Sequence, residues 1–273
     1  MTEAPHRVEV GRMRWNVTRT GRGPLALLVH GMGASQHSWR EVVPHLADRF
    51  TVLTVDLPGH GETTRLSEAP TLDRTAASLA ALCTELAEPI ELAVGHSAGA
   101  AILVRMAIDR VIEPRRLIGF NGAFFPFQGS ASSAFSAAAR LMTSSSMVAR
   151  LFARRARDRR NVERILRSTG STIGEEGVTH YQRLATRPEQ VRNVLAMMAN
   201  WRLEPLLEDL PRLATPLLLV AGRLDRAVPP RQAQQVASRV PHGRWVSMPG
   251  GHLCHEEWPE KAASIVSTAW AEA

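Results

Sequence analysis

The sequence predicts an α/β fold, a mostly parallel sheet crossed by helices, opened part-way along the chain by a helical insertion. Three observations predict it. Short continuous apolar runs recur at 25–30 (LALLVH), 51–56 (TVLTVD), 90–94, 117–120, 216–221 (PLLLVA) and 244–248. Unbroken runs of this length suit strands buried on both faces, which parallel sheets covered by crossover helices require. Helical patterns fall between them, near 37–48, 72–87, 98–110, 231–239 and 256–271. From 122 to 205 the strand-like runs stop, and Ala, Arg, Leu and Met dominate, punctuated by Ser and Gly.

Each element has a local reason. Residues 8–10 and 13–18 flank Gly11 and read as an antiparallel hairpin at the sheet edge. The runs at 25–30 and 51–56 each end in a Gly-rich turn, HGMG and LPGHG. The simplest assembly is a core of residues 1–121 and 206–273, with residues 122–205 inserted as a helical lid. Within the insertion, Phe135, Ala138, Leu141 and Met142 are helix-spaced, as are Val148, Leu151 and Phe152, which predicts ordinary lid packing there.

Composition narrows the function classes. The 273 residues are 44% apolar and 22% charged, the balance of a soluble globule with a sizeable core. No stretch approaches the ~20 apolar residues of a membrane span, and the N-terminal 22 residues lack a signal-peptide pattern. Two distant cysteines, Cys83 and Cys254, suggest neither a disulfide framework nor a metal site. A cytoplasmic protein with free thiols and no cofactor is expected. The net charge of +7 is concentrated between Arg140 and Arg167, where nine Arg face only Asp158 and Glu163. Most of that block reads as a solvated helix face, with attraction for anionic small molecules or a membrane surface as the functional alternative. No nucleic-acid motif accompanies it, so that partner is not expected.

The chemistry centres on Gly95-His96-Ser97-Ala98-Gly99. This G-x-S-x-G sits between the run 90–94 and a helical pattern starting at Ala98, the context of a strained strand-to-helix elbow that projects a serine from the sheet edge. A serine hydroxyl needs a base, and the chain order for such a sheet is serine, acid, histidine. Asp225 follows the run 216–221, and His252 follows 244–248 in Pro249-Gly250-Gly251-His252, so both come from the edge that carries Ser97. His255 is expected to open the next helix, His96 to point away from Ser97, and Asp56 precedes the serine and breaks the order. His30, His60, His37 and Asp109 read as structural. Two backbone N–H groups for an oxyanion are expected from Ala98 and Met32.

These motifs, HGMGAS (30–35), DLPGHG (56–61), GHSAG (95–99), GRLDRAVPP (222–230) and PGGHLCHEE (249–257), resemble those of the α/β-hydrolase superfamily along the whole chain. A serine at the elbow argues against the epoxide hydrolases and haloalkane dehalogenases of that fold, which place an aspartate there. More narrowly, HGMGASQHSWR, VGHSAGAAILVRMAID, GFNGAFFPF, LAMMANW (195–201) and DLPRLATPLLLVAG are similar to magnesium chelatase accessory proteins of bacteriochlorophyll biosynthesis. That resemblance implies a role near magnesium insertion into protoporphyrin, with chelatase subunits as partners and a porphyrin or its ester as ligand. On this basis His30, Gly31, His96, Phe124, Phe125, Phe127, Met197, Met198 and Trp201 are expected around a substrate pocket. Three functions compete: a serine hydrolase of acyl bonds, a non-catalytic accessory on a hydrolase scaffold, and a carbon–carbon hydrolase or cofactor-free perhydrolase using the same triad.

Overall fold

The structure, a computed structural model, describes residues 5–126 and 146–272. Among them an eight-stranded sheet runs in the order β1-β2-β4-β3-β5-β6-β7-β8. The strands are β1 (His6–Val10), β2 (Met13–Gly21), β3 (Leu25–Val29), β4 (Thr51–Val55), β5 (Ile90–His96), β6 (Arg116–Phe120), β7 (Leu217–Gly222) and β8 (Gly243–Met248). β1 and β2 form the expected antiparallel hairpin and β2 joins β4 antiparallel. Every other pairing is parallel. All six predicted apolar runs are strands, each within two residues of its expected ends.

The unbroken apolar runs have the cause expected of them. In β3, Leu25, Leu27 and Val29 enter one core layer while Ala26 and Leu28 enter the other. Helices α1 (Leu72–Leu86) and α2 (Ala98–Ile108) cover the first face, and the second carries Trp39, Val42, Ala262, Val266 and Ala269. The helix expected at 37–48 is instead two short 3₁₀ turns, Gln36–Trp39 and Val43–His45. Pro44 explains the break, since it has no N–H to donate back along a continuous helix. Pro259 likewise divides the last predicted helix, 256–271, which follows α8 (Arg231–Ala237), into α9 (Cys254–Glu257) and α10 (Pro259–Ala271).

Between β6 and β7 the described residues are helical: α3 (Ser146–Arg155), α4 (Arg159–Ser168), α5 (Glu175–Ala185), α6 (Pro188–Asn200) and α7 (Glu204–Asp209). Phe127, Phe135, Ala138, Leu141 and Met142 lie outside the described residues. Leu151 and Phe152 on α3 are about half exposed, at 52% and 47%, where packing was expected. α6 has two faces. Asn193 and Met197 are buried, Asn193 bonded to the loop after β4, and Gln190 bonds to the loops after β3 and β4 at the edge of a cavity above the sheet edge that Val191, Val194, Leu195 and Met198 also line. No helix among the described residues is long and apolar enough to cross a membrane.

Candidate functional site

β5 ends at His96, and Ser97 takes φ +51° and ψ −114°, a left-handed-side conformation that costs an L-residue energy. The surroundings hold it there. Ser97 N–H donates to Phe120 C=O at 2.9 Å, and Ser97 C=O accepts from Ala100 and Ala123. A Cβ on Gly95 would sit 2.5 Å from Ala100 N, and one on Gly99 2.4 Å from Val29 O. Both glycines of the motif are therefore required by close backbone approach.

Ser97, Asp225 and His252 come together. His252 Nδ1 lies 2.8 Å from Asp225 Oδ2, and Nε2 lies 3.1 Å from Ser97 Oγ. Because the carboxylate only accepts, Nδ1 carries the proton and Nε2 presents its lone pair to the serine hydroxyl. Asp225 is itself fixed: its Oδ1 accepts from Ala227 and Val228 N–H, both at 2.8 Å. An imidazole held this way by Asp225 is aimed to accept a proton from the hydroxyl.

Asn121, at φ +46° just past β6, is a residue that sequence reasoning missed. Its Oδ1 accepts from Gly222 N–H at 2.7 Å, while Nδ2 donates to Gly251 and His252 C=O, both at 2.9 Å. One side chain thus ties the end of β7 to the histidine loop. Its signal lay in GFNG, because asparagine tolerates positive φ directly after a strand.

The remaining expected residues divide. Met32 lines the cavity, and its neighbour Gly33 has its N–H committed to His60 Nε2 at 3.1 Å. Ala98 opens α2, so its N–H is one of those without an intrahelical acceptor. Gly31 packs behind the serine; a Cβ there would lie 3.0 Å from Ser97 Cβ and 2.7 Å from His96 Nδ1. His96 does reach the cavity wall, with Nε2–H donating to His252 C=O at 2.8 Å and burial holding its pKa well below the usual value. Met198 also lines the cavity.

Others are corrected. His30 is fully buried away from the cavity, donating from Nδ1 to Gly31 C=O and accepting Leu57 N–H at Nε2, and burial lowers its pKa to about 4. Phe124 is a core residue, because the Ala123–Ser97 hydrogen bond turns the chain back onto α2 after β6. Phe125 packs on the same layer, with the Arg239 guanidinium 5.5 Å from its ring centre. Met197 is buried off the cavity wall, and Trp201 packs against the core. The excluded alternatives are accounted for too: Asp56 fastens Asn16, Gln36 and Glu62, and His255 is wholly buried against Trp39 and His96.

The cavity above His96 and His252 measures about 580 Å³, within the range of small-molecule sites. Its walls come mainly from α4, α5 and α6, with Leu166, Leu184 and Val194 among them.

The sequence model of the alpha/beta hydrolase family matches residues 26–265. The chain belongs to that family. It is 39% identical over 256 residues to the magnesium-chelatase 30 kDa subunit of Rhodobacter capsulatus, covering 93% of this chain and 89% of that one. It is 29% identical over 230 residues to the pimeloyl-[acyl-carrier protein] methyl ester esterase of Vibrio vulnificus, covering 81% and 84%. The fold matches a thermophilic esterase from Thermogutta terrifontis with a TM-score of 0.75 at 22% identity, over 99% of this chain and 98% of that one.

Proposed function

We propose that this member of the alpha/beta hydrolase family is a serine hydrolase of ester-type acyl bonds, working in the cytoplasm in or beside the magnesium-chelatase step of bacteriochlorophyll biosynthesis. The carrying observation is the unbroken line from Asp225 through His252 to a serine strained at a strand-to-helix elbow. His252 Nε2 takes the Ser97 proton as Oγ bonds to the substrate carbonyl carbon. The oxyanion is received by the N–H groups of Met32 and Ala98. As the tetrahedral species collapses, the imidazolium returns its proton to the departing alcohol, leaving an acyl-serine. A water then attacks, giving its proton to His252 and its oxygen to the acyl carbon, and as the Oγ–carbon bond breaks the imidazolium returns that proton to Ser97 and the acid leaves. Asp225 holds the tautomer and steadies the imidazolium. Residues 122–205 act as a lid on the core 1–121 and 206–273.

The pathway comes from the relative named as a chelatase subunit. That name also favours a second reading, a non-catalytic accessory that binds a porphyrin or the chelatase itself. Complementation of a deletion strain separates them. The hydrolase reading expects wild type to restore pigment and Ser97→Ala to leave an intermediate accumulating. Full rescue by Ser97→Ala would select the accessory role.

A further inference from the structure

The cavity's charge inventory identifies what enters it. Among the described residues no Asp or Glu side chain lines it, while Arg155 and Arg164 both do. The other polar groups on its wall are already occupied. Tyr181 donates its hydroxyl to Glu256 behind the wall, Gln190 is bonded to Gly61 and Gly33, and Thr169 donates to Leu166 C=O. His252 and His96 belong to the floor beside Ser97. Asn161 joins the two arginine-bearing helices, donating to Arg155 C=O at 2.9 Å and accepting from Arg164 Nη1 at 3.0 Å. Neither guanidinium forms a salt bridge among the described residues, although Arg159 and Arg160 beside them pair with Glu163 and Asp158.

Position matters as much as charge. Arg155, Arg164, Phe152 and Ile165 are exposed, so they mark the mouth, while His96 and His252 mark the floor, with Ser97 Oγ 3.1 Å behind His252 Nε2. The space between is apolar. A ligand matching this sequence of environments has its scissile carbonyl at the floor, a hydrocarbon body through the middle and an anion at the mouth. A cation at the mouth would meet two guanidiniums, of which only Arg164 has a carboxylate, the exposed Asp158, acting on it from a distance, and a purely neutral chain would make no use of their charge.

Resting on the hydrolase reading only for which end reacts, we propose that the substrate is an apolar ester carrying a carboxylate at the end remote from the scissile bond, with Arg155 and Arg164 as the specificity-determining pair. Binding is tested on Ser97→Ala protein by fluorescence titration with cis-parinaric acid and its alcohol, in parallel with an Arg155→Gln/Arg164→Gln version of the same protein. The acid is expected to bind more tightly than the alcohol. Their affinity ratio should fall about 3- to 10-fold in the arginine variant, the scale of exposed charge pairs, and should shrink similarly in 0.5 M NaCl, where charges are screened within about 4 Å. Equal affinities, or a ratio unmoved by the arginine changes, overturn the proposal.

A kinetic arm uses otherwise wild-type protein and compares mono-p-nitrophenyl sebacate with p-nitrophenyl decanoate. Turnover of both with the same kcat/KM ratio in wild type and the arginine variant also overturns it, while leaving the hydrolase reading standing. Charge-selective binding without turnover of either ester sustains the anionic ligand and removes the hydrolase reading.

Discussion

The sheet edge and the helices above it are built by different means. At the edge, Ser97, Asp225, His252 and Asn121 each follow a strand or the loop leaving one, and backbone register fixes where they arise. Above it, α5 and α6 are anchored through a few side chains: His180 to Ser35 at 2.7 Å, Gln190 to Gly33 and Gly61, Asn193 to Pro58, and Tyr181 to Glu256. Chemistry is therefore placed by the backbone and the pocket by side-chain packing. Changes at the edge should act on kcat, and changes above it on which substrate is accepted.

The largest effect should come from Asp225→Asn. Asparagine Oδ1 keeps the bonds from Ala227 and Val228, but its amide faces His252 Nδ1 with hydrogens and forces the other tautomer. A fall of about 10⁴-fold in kcat is expected, with the melting temperature little changed. A melting collapse of the same variant would mean the edge depends on that carboxylate for folding, which would weaken the contrast between the two regions.

Asn121→Ala should act next. It strips Gly222 N–H and the carbonyls of Gly251 and His252 of a shared partner, at about 1–3 kcal/mol for each group left buried and unsatisfied. Because the histidine loop loosens while the cavity wall stays, kcat should fall about 10- to 100-fold and KM much less. Steady-state kinetics on a p-nitrophenyl ester checks this split; an equal rise in KM would place Asn121 among the substrate-binding residues instead.

The smallest effect concerns the joint between the regions. Burial pushes Glu256 from 4.5 up to about 8, while Tyr181 donates to its Oε1 at 2.6 Å. Between those two pH values the unfolded chain releases this proton and the folded one keeps it, so stability declines as pH rises from 4.5 to 8. Glu256→Gln keeps an oxygen for Tyr181 and removes the penalty. Its melting temperature should exceed that of wild type by several degrees at pH 8 and match it near pH 4.5. A constant offset across that range would contradict the assignment.

The same division explains what the sequence disclosed. Ser97, Asp225 and His252 were legible because strand ends, glycines and chain order are one-dimensional signals that the sheet turns directly into position. Asn121 was visible as a residue in GFNG but not as a tie, since its partners lie about a hundred residues away. The pocket was read from residue type, and type misled. Met197 and Met198 are adjacent, yet a helix separates them by about 100°, so one is buried off the cavity wall and the other lines the cavity. The spacing 191, 194, 195, 198 was the better guide, because it groups residues by face. Phe124 failed for a related reason: the turn after β6 is set by a hydrogen bond to Ser97 C=O that no local pattern announces.

The most direct test is fluorophosphonate labelling followed by intact mass and peptide mapping. A single adduct on Ser97 is predicted for wild type, absent in Ser97→Ala and slowed at least about 10³-fold in His252→Ala. An adduct on any other residue, or a labelling rate indifferent to the loss of His252, would contradict an activated serine at this sheet edge.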